Sequence, residues 1–123
     1  MPPADETADF ISATFRSVWA LELLCLLRQH EGSSVAHAVM VAELRGSDSV
    51  VTQSLEMLGA AGLVVAEADG SALYAPVSPD LDRLAGEADA AYRRSPDAVR
   101  RLIVTSAHSG IAAFADAFRL RKD

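Results

Sequence analysis

From Val18 to Leu27 the chain reads VWALELLCLL, an apolar run interrupted only by Glu22 and flanked by Arg16 and Arg28. A helix that is apolar around its circumference has to be covered on most sides, so whatever this chain folds into must be wrapped around that segment. The run is about half of the roughly 20 residues that a membrane-spanning helix needs, so it reads as the buried helix of a soluble protein. Phe10, Ile11, Phe15, Val18, Trp19, Leu23, Leu24, Leu26 and Leu27 recur at steps of three and four. That spacing predicts one helix from about Thr7 to His30, stopped near Gly32.

A chain of 123 residues holds one such core, so a single domain over 1–123 is expected, with a first helix over 7–31, a middle unit over 34–76 and terminal helices over 79–122. Aromatic residues make up 6% of it. With alanine and leucine frequent, that balance favours helix over strand, a mainly α fold. Val39, Val41 and Leu44 suggest a short helix ended by Gly46, after which Ser47 or Asp48 can cap a second helix carrying Val51, Leu55 and Leu58 on one face. Gly62 closes that helix. Leu63 to Ala66 and Ala72 to Ala75 then read as two strands joined through Gly70, a single β-hairpin. Ser78-Pro79-Asp80 and Ser95-Pro96-Asp97 each carry a capping hydroxyl, a proline for the first turn and an acid at the positive end of the helix dipole. They predict a helix from Pro79 to about Arg93 and another from Pro96. In the latter, Val99, Ile103, Ala107, Ile111, Phe114 and Phe118 keep one face apolar, with Gly110 placed to bend it.

Charge and cysteine content narrow the function classes. The lone Cys25 precludes an intramolecular disulfide and suits a reducing cytoplasm, and the absence of a basic, apolar leader at Met1 to Glu6 agrees with a cytoplasmic location. Cys25, His30, His37 and His108 form no ligand motif, so no metal or other cofactor is expected, and Cys25 reads as a small core residue. No phosphate loop, nucleophile elbow or catalytic carboxylate pair is present, which argues against an enzyme. The net charge is −6, divided as −3 over 1–32, −4 over 33–78 and +1 over 79–123. Asp80, Asp82, Glu87 and Asp89 are spaced like a solvated helix face that pairs with Arg83 and Arg93. The doublets Arg93-Arg94 and Arg100-Arg101 read first as helix-end compensation, and second as contacts to phosphate or to an acidic partner.

The run VAELRGSDSVVTQSLEMLGAAGLV from Val41 to Val64, followed by a hairpin, resembles the winged helix-turn-helix of MarR-type and ArsR-type bacterial regulators over about 34–76. The resemblance implies a winged helix-turn-helix with a single β-hairpin wing and extra N- and C-terminal helices. It makes Ser47 to Ala61 the recognition helix and Glu67 to Ser71 the wing tip. Ser47, Ser49, Thr52 and Gln53 would then contact DNA, with Gln53 able to bridge an adenine edge and Arg45 neutralising phosphate. The sequence departs from such regulators in carrying Glu56 on that outward face and Glu67 and Asp69 at the wing tip. The alternative partner is therefore another protein, with the domain serving as an acidic interaction module. Relatives of this type dimerise through terminal helices. Because each phenylalanine removed from water contributes about 1.5 to 3 kcal/mol, the first and last helices either pack within one subunit or pair across a dimer, and the resemblance implies the second, a homodimer interface with Phe10, Phe15, Ile111, Phe114 and Phe118.

Overall fold

The computed structural model describes residues 5–106. These are mainly helical, with one small antiparallel sheet: α1 (Asp5–Thr14), α2 (Val18–Gln29), α3 (His37–Leu44), α4 (Asp48–Ala60), β1 (Val64–Ala66), β2 (Ala72–Tyr74) and α5 (Pro79–Arg94). A sixth helix, α6, is described over 96–106. No single helix among the described residues is long and apolar enough to cross a membrane.

The helix expected from Thr7 to His30 is two helices, α1 and α2, which meet at 109°. Ser17 makes the break. Its backbone is extended (φ −149°, ψ 154°), and its Oγ accepts a hydrogen bond from the Ala20 amide at 3.3 Å, which satisfies one of the free donors at the start of α2. The bend turns Phe15 inward until it is 1% exposed, with the half-buried Phe10 ring edge-on to it at 5.8 Å. This corrects the expected role of Phe15: a ring enclosed in its own chain's core offers no surface to a second subunit.

α2 is the central helix, as its composition demands. Ala20, Leu21, Leu23, Leu24, Cys25, Leu26 and Leu27 are all buried, and α3, α4, β2 and α5 pack around them. α3 ends at Arg45, whose φ of 54° and ψ of 35° make it the only non-glycine residue with positive φ among those described. The left-handed residue is thus Arg45 and not Gly46, whose amide closes the helix end by donating to the Val41 carbonyl at 3.2 Å. α4 is capped by Ser47 Oγ, which accepts from the Val50 amide at 3.2 Å, and it buries Val51, Ser54, Leu55 and Leu58.

Gly62 (φ 78°) releases the chain from α4 into β1, and a Cβ there would lie 2.9 Å from Val77 Cγ2. β1 and β2 pair in the register Val64 with Tyr74, Val65 with Leu73 and Ala66 with Ala72. Val35, just before α3, adds a one-residue bridge to the other side of Ala72. α5 starts as its Ser-Pro-Asp signature predicts, with Ser78 Oγ accepting from the Leu81 amide at 3.1 Å and Pro79 in the first turn. Its buried face is mostly alanine, Ala85, Ala88 and Ala91, together with one charged residue, Asp89.

Candidate functional site

α4 has a buried rear and a polar front. Ser49, Thr52, Gln53 and Glu56 are all exposed on the front, so three of the residues expected to read DNA do share one accessible face. Ser47 is different, because its hydroxyl already serves as the cap of α4. Arg45 stands exposed one turn ahead of the helix and forms no ion pair among the described residues. Its left-handed backbone costs about 1 to 3 kcal/mol, a strain that recurs at binding sites.

The hairpin flanks this face. Its turn is closed by the Glu67 amide donating to the Ser71 carbonyl at 2.8 Å and by Gly70 at φ 90°. Asp69 Oδ1 accepts from Ser71 Oγ at 2.6 Å and from the Ser71 amide at 2.9 Å, and these bonds hold the Asp69 carboxyl below the ordinary carboxylate range. Glu67 accepts from Ser34 Oγ at 3.1 Å. A cleft of about 460 Å³ runs between α4 and the hairpin, lined by His37, Thr52, Leu55, Glu56, Gly59, Ala60, Ala66 and Gly70. His37 Nε2 lies 3.2 Å from Asp48 Oδ1 and so ties the start of α3 to the start of α4.

Five carboxylates of α1, α5 and α6 are paired with arginine: Arg83 holds Glu6, Asp80 and Glu87, Arg28 and Arg93 hold Asp89, and Arg100 holds Asp97. Arg83 keeps the Glu6 carboxyl below its usual range. Glu43, Asp48, Glu56, Glu67 and Asp69, around α4 and the hairpin, form no ion pair with Arg or Lys among the described residues. Among the described residues, the α4 side therefore carries carboxylates that no ion pair with Arg or Lys offsets. Arg93 pairs with Asp89 in the last turn of α5, as its position implies, whereas Arg100 lies inside α6, where it pairs with Asp97 and donates to the Tyr92 hydroxyl at 3.2 Å. One cation near α4 was missed by sequence reasoning: the Arg16 amide donates to Met57 Sδ at 3.4 Å, which puts this exposed arginine on the flank of α4. Nothing in the sequence signals it, since the placement depends on the α1–α2 bend.

Asp89 corrects another expectation. It is 3% exposed and not part of a solvated face. Its carboxylate sits between the Arg28 guanidinium of α2 and Arg93 Nε at 2.8 Å. The Arg28 guanidinium also lies 5.6 Å from the centre of the Tyr74 ring, and Gly86 leaves room for it, because a Cβ there would be 3.2 Å from Arg28 Nη2. Cys25 is buried beside Asp89, and burial first and the neighbouring carboxylate second push its thiol pKa up. A thiol so disfavoured as thiolate is a core residue and a poor nucleophile or ligand. No group of three or more His, Cys, Asp or Glu among the described residues is placed to hold a metal ion. Ile111, Phe114 and Phe118 lie outside the described residues, and of the expected interface only half-buried Phe10 remains accessible.

No family model matches the chain, and neither does any curated protein or solved structure.

Proposed function

We propose that the chain is a winged helix-turn-helix DNA-binding regulator that presents α4 to the major groove. The observation that carries this reading is the exposed row Ser49, Thr52 and Gln53 on a helix whose opposite side is buried, with the hairpin beside it and ahead of it the strained Arg45, which has no ion pair among the described residues. Gln53 has the donor and acceptor pair that fits an adenine edge, and Arg45 and Arg16 would supply the positive charge for phosphate. With two such cations per chain, the salt slope of binding should be near −1.8 per subunit, far shallower than for a protein making about 6 to 10 phosphate contacts.

The carboxylates Glu56, Glu67 and Asp69, which form no ion pair among the described residues, favour a second reading, in which the same face docks a basic protein surface. Retention of mixed genomic fragments at low salt separates the two. DNA binding predicts retained fragments, relaxed sequence choice for Gln53→Ala and uniformly weaker binding for Arg45→Ala. If no fragment is retained at low salt, the DNA reading fails and the acidic-face reading takes its place.

A further inference from the structure

The cleft between α4 and the hairpin, about 460 Å³, falls within the range of about 300 to 1,000 Å³ that small-molecule sites occupy. Its walls are mostly apolar, from the buried Leu55 to Ala60 and Ala66. Thr52 and Glu56 give it polarity on the α4 side. They are four residues apart, a spacing that sets a hydroxyl and a carboxylate side by side on one face of the helix. Glu56 forms no ion pair among the described residues, and no Lys or Arg is among those lining the cleft.

The open wall depends on Gly59. This glycine lies in the last turn of α4 and does not have positive φ, so its backbone conformation does not demand it. Packing does not demand it either, because a Cβ there would meet nothing closer than the Val64 carbonyl oxygen at 4.0 Å. Glycine weakens a helix relative to alanine. A glycine that neither backbone nor packing requires thus keeps the α4 wall of the cleft bare between Glu56 and the hairpin.

The lining selects the chemistry of an occupant. Apolar walls favour a compact apolar body, and Glu56 favours a positive group at one end of it. A primary ammonium has three donors, and both the Thr52 hydroxyl and the Glu56 carboxylate can accept from it. A quaternary ammonium is instead held by aromatic faces, and no Phe, Tyr or Trp lines the cleft among the described residues. A carboxylate ligand would be repelled by Glu56, and the His37 Nε2 that could offset this already faces Asp48 Oδ1 at 3.2 Å. We infer that the cleft binds a small apolar molecule bearing a primary ammonium, with the ammonium between Thr52 and Glu56 and the apolar body over Gly59, against Leu55 and Ala66. The site goes beyond the DNA-binding reading and does not depend on it.

The test titrates the isotopically labelled full chain at neutral pH with naphthylmethylamine, with its neutral N-acetyl derivative and with naphthylacetate, followed by amide chemical shifts. Shifts should gather at 52–60 and 66–70, and the amine should bind about tenfold more tightly than the carboxylate. Glu56→Gln, at an exposed position, should weaken the amine about threefold to fivefold and leave the neutral derivative unchanged. Gly59→Leu should fill the cleft and abolish binding of both, while thermal melting monitors the fold. Should that variant fail to fold, the Glu56→Gln comparison decides alone. Shifts elsewhere, no binding of the amine at millimolar concentration, equal affinity for amine and carboxylate, or amine binding indifferent to Glu56→Gln would each overturn the proposal. So would unchanged binding in a folded Gly59→Leu chain. No nucleic acid enters these titrations, so their outcome is separate from that of the DNA retention experiment.

Discussion

Replacing Asp89 by alanine removes the one carboxylate that faces two guanidinium groups in the α2–α5 interface. Asp89 is 3% exposed, and the Arg28 side chain retains 26% exposure, with its Nε buried and without a hydrogen-bond partner among the described residues. Deleting one member of a buried pair costs about 3 to 5 kcal/mol, because the remaining charge is left unpaired in a poorly solvating site. Partial exposure and the Tyr74 ring ease that burden for Arg28, so the lower end, about 3 kcal/mol, is the expected loss. At about 2.1 cal/mol/K of unfolding entropy per residue, a 123-residue chain loses about 4 °C of melting temperature per kcal/mol, so Asp89→Ala should melt roughly 12 °C below the parent. Arg93→Ala is the internal contrast. Its side chain is 62% exposed, and an exposed partner is worth under about 1 kcal/mol. Asp89→Leu combined with Arg28→Met should recover most of the loss, since an apolar pair of similar volume carries no desolvation penalty. Calorimetric melting of the four proteins decides the matter. A loss for Asp89→Ala no larger than that for Arg93→Ala would show that the buried pair does not act as argued.

Leu58 is fully buried on the rear of α4, so Leu58→Ala should cost about 2 to 5 kcal/mol in urea unfolding, and a loss under about 1 kcal/mol would mean the helix faces the other way. Tyr74 is pushed up to about 12, by burial first and by its 2.6 Å hydrogen bond to Asp82 second. The folded state holds that proton more tightly than the unfolded chain does, so the associated stability is intact below pH of about 10 and is lost as pH rises through about 12. Phenolate absorbance in a Tyr92→Phe background should show this late midpoint, and Asp82→Asn should bring it back toward about 10. Gly32 and Gly62 both have positive φ, but only a Cβ at Gly62 meets a neighbour, Val77. Gly32→Ala should therefore cost about 1 to 2 kcal/mol and Gly62→Ala more, with Val77→Ala returning the excess in a double mutant. Equal losses at the two glycines would remove the steric argument.

Much of the fold was legible locally. The apolar character of 18–27, broken only by Glu22, made α2 the central helix, the two Ser-Pro-Asp signatures placed the starts of α5 and α6, and Gly62 with Gly70 framed the hairpin, because caps and glycine turns act through neighbouring atoms of the same segment. The row Ser49, Thr52 and Gln53 was legible for the same reason: helical spacing alone puts them opposite Val51, Leu55 and Leu58. Tertiary structure decided what that spacing could not express. Apolar periodicity continues through 14–17 whether or not the helix does, and only packing chose the 109° bend at Ser17 that buries Phe15 and brings Arg16 to α4. Asp89 follows the spacing of a solvated face, yet it is buried because its partner Arg28 lies 61 positions away on α2. A charge is stabilised or penalised by what surrounds it in space, and for Asp89, Arg16 and the carboxylates beside α4 those surroundings are assembled only when distant segments meet.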